Sequence, residues 1–216
     1  MKIIVGMFLF SVVFPLDKQD DIGFLYGVLG RMNFEDDTVM VLEDTSIIHT
    51  GNEIKINAGY LKDTHFYVIY KGSEGEFDLL YSNDKNMVEN LVDLPDTIYT
   101  PVLNWTRFSD PVGYETFFLI NSTLAQENLE KLFKHYNKVN EKGKIKLAKK
   151  IQDEIDNLDP EKKRNLASIG SRLNKPVVGG VTFRGDDEDE LKGLSLTHSC
   201  MGTSGIAFKK IVLNHK

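Results

Sequence analysis

Two apolar runs separated by a glycine-rich, charged turn stand out in the hydrophobic pattern of residues 64–82. In the first run, β-branched and aromatic side chains occupy both faces, which is typical of a strand inside a sheet. The second run places Phe77, Leu79 and Tyr81 on one face and Asp78 on the other, which suits a strand with one wetter side. This stretch predicts a β-hairpin.

Short apolar runs on either side of the hairpin predict further strands, namely residues 24–29, 38–44 and 53–57 before it and 115–120 after it. The earlier runs suggest a meander that leads into the hairpin. Residues 82–105 indicate a long connection, because Pro95, Pro101 and scattered Asp and Asn residues interrupt any strand.

Helical spacing replaces strand alternation between about residues 123 and 172. Thr123 and Gln126 stand at capping-box spacing, and Gly143 is expected to end the first helix. A third helix is expected to open at Asp159-Pro160, an N-cap residue followed by proline. The apolar positions of the first two helices are Leu129, Leu132, Phe133, Tyr136 and Val139, and then Ile145, Ala148, Ile151, Ile155 and Leu158. We expect the first of these stripes to pack on the sheet, because almost no linker separates it from the preceding strand.

The chain returns to strand-forming runs at residues 175–185, 191–199 and 205–215. This order favours a β-rich α+β fold: a β-sandwich-like domain over residues 17–122, a helical region over residues 123–172, and C-terminal strands in residues 173–216 that rejoin the sheet. With 216 residues, of which 41% are hydrophobic, the chain can bury a core without a metal or a disulfide. Its single cysteine, Cys200, excludes an internal disulfide.

The N-terminus and the overall charge bear on location and partners. Only Gly6 and Ser11 interrupt the apolar run over residues 3–14, which predicts a signal peptide over residues 1–16 and hence an exported protein. The alternative is a buried N-terminal strand in a cytoplasmic protein. The run is too short for a membrane span, so no stable span is expected after signal removal. A net charge of −6 argues against a nucleic-acid partner.

Five short stretches between residues 39 and 122 carry a resemblance to a known family. They are His49-Thr50-Gly51-Asn52-Glu53, the strand at residues 66–72, Leu79-Leu80-Tyr81-Ser82-Asn83, Tyr99-Thr100-Pro101, and Asp110-Pro111-Val112-Gly113-Tyr114-Glu115. In these features the chain resembles the bacterial domain-of-unknown-function family number 4384, a β-sandwich-like module. The resemblance implies an interaction or sensing module. Together with the predicted export, this favours a non-enzymatic binding or accessory module of the bacterial cell envelope, whose partner is another envelope protein. It supplies no catalytic residues.

The string at residues 197–205 is the most enzyme-like part of the sequence, because His198, Cys200 and Ser204 are residue types found in nucleophilic sites. In a strand, His198 and Cys200 point to the same face, but a nucleophile also needs a base held in place by a third group. The sequence identifies no such acid. A glycine-containing turn between two strands explains the string equally well, so an enzyme using Cys200 and His198 is the alternative hypothesis.

Two further motifs have weak support as binding sites. Arg184-Gly185-Asp186 matches an adhesion tripeptide, and the acidic run at residues 186–190 lacks the alternating ligands and glycine of an EF-hand loop. The five histidines are scattered singly, so no metal site is predicted. We therefore predict no cofactor and no catalytic residue.

Overall fold

The computed structural model describes residues 22–32, 39–83, 92–94, 97–160, 162 and 196–216. These residues form strands β1 (Ile22–Arg31), β2 (Val39–Val41), β3 (Ile47–Ile48), β4 (Glu53–Leu61), β5 (His65–Lys71), β6 (Phe77–Ser82), β7 (Val92–Leu94), β8 (Thr97–Arg107), β9 (Gly113–Ser122), β10 (His198–Gly202) and β11 (Ile206–His215), and helices α1 (Glu127–Tyr136) and α2 (Glu141–Leu158). The predicted signal peptide over residues 1–16, the body of the third predicted helix and the strand predicted at residues 175–185 lie outside the described residues.

The strands form two sheets that pack face to face. Sheet A has the order β10-β1-β4-β8-β7, with β2 also pairing with β1, and sheet B has the order β3-β11-β9-β5-β6. Their inner faces share one core, to which Phe24, Tyr60, Phe66 and Leu119 contribute. The two helices lie on the outer face of sheet B over a second apolar cluster. The predicted β-rich α+β class, a sandwich with a helical region, is therefore confirmed.

The predicted hairpin is present as β5 and β6. Strand β5 lies between β9 and β6, which explains why both of its faces are apolar. Phe66 and Val68 enter the core between the sheets, whereas Tyr67 and Ile69 face the helices. The double-sided pattern thus reflects a strand that is covered on both sides.

The predicted face of Tyr81 is wrong. Val68 opposes Tyr81 and Ile69 opposes Leu79, so β6 contains one extra residue at a β-bulge. The bulge breaks the alternation, and Leu79 therefore packs toward the helices while Tyr81 packs against the core between the sheets. There the Tyr81 hydroxyl lies 2.5 Å from the hydroxyl of Tyr60.

The predicted meander does not continue into the hairpin. Strand β4 pairs with β1 and β8 in sheet A, whereas β5 begins beyond a short turn and belongs to sheet B. In that turn the Thr64 hydroxyl donates to the Leu61 carbonyl at 2.6 Å. Because β4 and β5 lie in opposite sheets, their inner apolar side chains pack against each other in the core of the sandwich.

The expectation that proline interrupts the connection after the hairpin is also wrong, because β8 runs through Pro101. Pro101 is exposed and pairs with Asn57 beside an irregularity in the β4–β8 register. On the other side of β8, strand β7 pairs only with the segment from Thr97 to Tyr99. Proline is tolerated at such edge and bulge positions, where its missing N–H costs no ladder hydrogen bond.

Helix α1 buries the predicted stripe on sheet B. Leu129, Phe133 and Tyr136 are buried against side chains of β5 and β9, as expected for a helix that follows its strand directly. The predicted capping box is absent, because no side chain caps α1 at Gln126. The Gln126 amide instead donates to the hydroxyl of Tyr67 at 3.0 Å.

Two details of α2 differ from expectation. Gly143 does not end the first helix but lies in the first turn of α2, where its amide donates to the capping side chain of Asn140 at 3.1 Å. Ile145, expected on the apolar stripe, is 73% exposed. The buried stripe runs through Leu147 and Ile151 instead, because residues two positions apart lie on opposite sides of a helix.

Candidate functional site

Cys200 lies on β10 opposite Phe24 and packs against the core between the sheets. Its Sγ donates to the main-chain carbonyl of Phe208 at 3.4 Å. Burial raises the pKa of the Cys200 thiol to about 11. Because the thiolate is the nucleophilic form of cysteine, this side chain is held in its unreactive form near neutral pH.

His198 faces the same side of β10, but its ring is engaged elsewhere. Nε2 lies 2.9 Å from the Glu43 carboxylate, Nδ1 lies 2.7 Å from the Thr197 hydroxyl, and the ring stacks on Tyr26 with centroids 5.1 Å apart. Ser204 lies in the turn before β11 with a φ of 58°. The three residue types singled out in the sequence are therefore not joined into a nucleophile–base pair.

The other two candidate binding motifs of the sequence fall on residues that the structure does not describe. Arg184-Gly185-Asp186 and the acidic run at residues 186–190 lie outside the described residues. Over the residues that the structure covers, no group of three or more His, Cys, Asp and Glu side chains could hold a metal ion.

A connected chain of polar side chains lies at one end of the sandwich. The Tyr70 hydroxyl donates to Glu115 Oε2 at 2.6 Å, and Glu115 Oε1 lies 3.3 Å from His215 Nδ1. His215 Nε2 lies 3.0 Å from Thr50 Oγ1, which in turn lies 3.2 Å from Asp110 Oδ1. The carboxylate and the imidazole are each only 2% exposed, whereas Thr50 and Asp110 are at the surface. The chain thus runs from the core to solvent.

Strand register brings the inner part of this chain together. Glu115 stands opposite Leu213 in β11, and His215 follows Leu213 by two residues on the same face. Tyr70 stands opposite Phe117 in β9, again two residues from Glu115. Such diagonal neighbours across a sheet are within reach of long side chains, so the sheet itself aligns the three polar groups.

A tight turn holds Thr50 at the outer end of the chain. The Asn52 side chain accepts a hydrogen bond from the His49 amide at 2.8 Å, and Gly51 adopts a φ of 92° that favours glycine. The amides of Gly51 and Phe108 exchange hydrogen bonds with the carbonyls of Phe108 and Asn52 at 2.9 and 2.8 Å. The turn is thereby locked against the end of β8.

The order carboxylate, imidazole, hydroxyl resembles a catalytic relay, but the contact between Thr50 and Asp110 argues against that role. A relay needs a bare Nε2 to take the hydroxyl proton. Thr50 has a single hydroxyl proton, and only Thr50 can donate in its contact with the Asp110 carboxylate. The neighbouring Gly51 amide is already bonded and cannot serve as an oxyanion donor. The geometry instead ties β5, β9 and β11 to two surface loops. We call the five residues that make these contacts, Tyr70, Glu115, His215, Thr50 and Asp110, the clamp.

Beside this clamp, the outer face of sheet B is not covered by the helices. Ile47, Asn214 and Tyr114 stand in register across β3, β11 and β9, and therefore share a face. Tyr114 is 68% exposed and Ile47 is 48% exposed, and Val112 in the preceding loop is 54% exposed. Val212 completes the group in the next row. We call these four apolar residues, Ile47, Val112, Tyr114 and Val212, the uncovered corner.

The helices carry an open groove of a different character. Its volume is about 500 Å³, and its lining is mostly charged or polar, including Lys131, His135, Lys150 and Asp153. Neither described helix combines the length and the apolar content that crossing a bilayer requires.

Comparison of the chain with models of protein families, with curated proteins and with solved structures finds no match.

The clamp was not foreseen from the sequence, because its members come from four distant segments. Two of these segments, residues 49–53 and 110–115, carry part of the family resemblance, and they meet at this end of the sandwich. A glutamate within an otherwise apolar strand was the one local signal. Glu115 begins the run over residues 115–120, where a charged side chain that faces the core needs a partner.

Proposed function

We propose that this chain is an exported, non-enzymatic binding or accessory module of the bacterial cell envelope. We further propose that the uncovered corner contacts the partner, another envelope protein. The observation that carries the proposal is the set of exposed apolar side chains, led by Tyr114, on a rigid sheet face.

Aromatic side chains that are exposed on a fixed scaffold are typical of protein interfaces. Tyr114 lies at the start of β9, where Gly113 packs against Ser73 and the Ser73 hydroxyl donates to the Pro111 carbonyl at 3.2 Å. The clamp holds the same segment from its inner side through Glu115. Little conformational entropy would be lost when a partner binds a surface that is already ordered in this way.

Charge around the corner indicates the kind of partner surface. Along β11 and just beyond it, Lys210, Val212, Asn214 and Lys216 alternate onto the outer face, and both lysines are exposed. Exposed carboxylates lie beside the same corner, since Asp44 Oδ1 accepts from the Val212 amide at 2.8 Å and Asp110 precedes Val112 by two residues, so the rim carries both signs of charge. A protein surface with an apolar centre and a polar rim of mixed charge would complement it.

The alternative, an enzyme of unknown class that uses Cys200 and His198, has less support. The pKa of the thiol is raised and the Cys200 Sγ donates to the Phe208 carbonyl. The two ring nitrogens of His198 contact Thr197 and Glu43 rather than the thiol, so the nucleophile lacks a base within hydrogen-bond reach.

Photo-crosslinking tests the contact surface. A photoreactive phenylalanine analogue at position 114 of the full chain, expressed in its native host, should form an adduct with an envelope protein. The same analogue at position 124 is the control, because Leu124 is 74% exposed but lies outside the uncovered corner. We expect the adduct only from position 114. Equal adducts from both positions, or none from position 114, would contradict the assignment.

Export is tested separately. Cell fractionation followed by mass spectrometry of the intact protein should find it outside the cytoplasm and shortened by about 16 residues, since a signal peptide is removed in the mature chain. Full-length protein in the cytoplasm would contradict the proposed export. The crosslinking result would still test whether the uncovered corner contacts a partner.

A further inference from the structure

The lysines of the helical region gather at one end of the helix pair. In the sequence of residues 124–165 basic and acidic side chains are mixed, but the fold separates them, because α1 ends and α2 begins at the same short turn. Across this turn, Lys144 Nζ lies 5.8 Å from the ring centroid of Tyr136. We call the six exposed lysines near the turn the basic end; they are Lys134, Lys138, Lys142, Lys146, Lys149 and Lys150.

The acidic side chains of the helix pair lie mainly at its other end. Between residues 131 and 150 the sequence has one acidic residue, Glu141, which pairs with Lys144 at 3.0 Å. The other carboxylates of the two helices belong to the start of α1 or to the second half of α2, namely Glu127, Glu130, Asp153, Glu154 and Asp156. Among the described residues, no carboxylate forms an ion pair with a lysine of the basic end. The basic end is therefore a local surface of uncompensated positive charge.

This arrangement of charge does not stabilise α2. Lys142, Lys146 and Lys150 follow one another at intervals of four residues, a spacing at which like charges repel each other on a helix surface. Lys142 also lies in the first turn, where the positive end of the helix dipole disfavours a cation, and the last turn has no basic residue. The cluster thus costs folding stability, and an anionic partner outside the chain accounts for it.

The composition of the basic end favours a lipid surface over a nucleic acid or an acidic protein. All six cations are lysines, which act as point charges and lack the planar fork with which arginine binds a single phosphate or carboxylate. The aromatic rings of Phe133 and Tyr136 are buried beneath the helices and cannot stack on a base. Ile145 is 73% exposed and lies three residues from Lys142 and four from Lys149, the spacing of neighbours on a helix surface. An exposed aliphatic side chain among lysines is typical of a helix that lies in a bilayer interface.

We propose that the basic end attaches the protein to an anionic phospholipid surface. Ile145 enters the headgroup region, and the surrounding lysines neutralise the lipid phosphates. Electrostatic interactions are screened beyond about 8 Å at physiological salt, so the local lysines decide this contact even though the net charge of the chain is −6. The contact does not rest on the uncovered corner, whose four residues lie on a part of sheet B that the helices do not cover.

Flotation of the full chain with vesicles tests the contact. The wild type should float with vesicles of phosphatidylglycerol and phosphatidylcholine more than with phosphatidylcholine alone, and added salt should weaken the difference. Lys142→Gln combined with Lys146→Gln should weaken binding to the anionic vesicles roughly 25-fold, at about fivefold per lysine. Lys55→Gln combined with Lys62→Gln removes the same charge from β4 and the turn after it, and should bind like the wild type. The apolar run over residues 3–14 is the same in every variant, so it cannot cause a difference between them.

Two further measurements distinguish lipid binding from other roles. In urea the Lys142→Gln, Lys146→Gln variant should be at least as stable as the wild type, because repulsion between lysines is relieved, so its lost binding is not a loss of folding. Ile145→Ala keeps the charge and should still weaken flotation several-fold. Equal flotation of the two double lysine variants, undiminished flotation of Ile145→Ala, or binding of the wild type to polyglutamate or duplex DNA but not to the vesicles would overturn the proposal.

Discussion

The hydroxyl of Tyr67 in β5 donates to Oε1 of Glu130 in α1 at 2.8 Å. The oxygen of the Tyr67 hydroxyl also accepts a hydrogen bond from the main-chain amide of Gln126 at 3.0 Å, at the position where the capping side chain is missing. Tyr67 of the sheet thereby satisfies a main-chain amide that a local N-cap side chain usually satisfies, and it helps to fix where α1 begins.

Removing this hydroxyl should destabilise the protein. Tyr67→Phe leaves the Gln126 amide without its partner, so we expect a loss of about 1 to 2 kcal/mol in the free energy of unfolding, the range for a lost cap or an unsatisfied buried donor. Urea titration measures it. Tyr114→Phe is the matched control, because Tyr114 is 68% exposed and should unfold like the wild type. If Tyr67→Phe were as stable as Tyr114→Phe and the wild type, the hydroxyl would not be needed, and water would take its place as the acceptor for the Gln126 amide.

The stripe of α1 should matter for stability in proportion to its burial. Phe133 is 2% exposed in the cluster beneath the helices, so Phe133→Ala should cost about 3 to 5 kcal/mol and lower the melting temperature. Ile145→Ala, at a position that is 73% exposed, should change stability by less than about 0.5 kcal/mol. Calorimetry that found similar losses for both variants would contradict the packing described for the helices.

Cys200 should react slowly with a thiol reagent in the native state. Because the pKa of the thiol is raised to about 11, the thiolate fraction near neutral pH is far smaller than for an ordinary cysteine with a pKa of about 8.5. Labelling in buffer should therefore be slow and rise with pH, whereas labelling in urea should match a model thiol. Fast labelling of the native protein would revive the hypothesis of an enzyme that uses Cys200.

Glu53 should titrate at an unusually low pH. The hydrogen bond from Arg107 at 3.0 Å, with a second from Arg31, lowers the pKa of the carboxyl. A lowered folded pKa stabilises the protein above the ordinary value of about 4.3 and loses that effect as pH falls through the folded value. Arg107→Gln should move the NMR titration of Glu53 upward. Lys131→Gln, which removes the partner of Glu127, should leave Glu53 unchanged.

The sequence predicted the parts of the fold that depend on local periodicity. The hairpin of β5 and β6 and the stripe of α1 were both anticipated, since alternation and helical spacing are properties of neighbouring residues. The bulge in β6 was not, because one inserted residue shifts the register without changing the composition. The prediction that Pro101 interrupts a strand was wrong for a similar reason. Proline destabilises a strand only where its missing N–H would have bonded to a neighbouring strand, and the local sequence does not show this.

The clamp shows the other limit. Only the pairing of β5, β9 and β11 aligns Tyr70, Glu115 and His215. The spacing of these residues along the chain does not predict their contact. His198 and Cys200 are the opposite case: their spacing was right for a shared face, but burial and the partner of each side chain decided their chemistry.

The position of β9 constrains the kinetics of folding. Its partners in sheet B are β5, which precedes it, and β11, which follows both helices. Until β11 has been synthesised, one edge of the apolar strand β9 has no partner strand, and the clamp lacks His215. Non-local pairing of this kind slows folding, and an unpaired strand edge promotes aggregation of the intermediate. Pairing of β11 with β9 therefore completes both sheet B and the clamp.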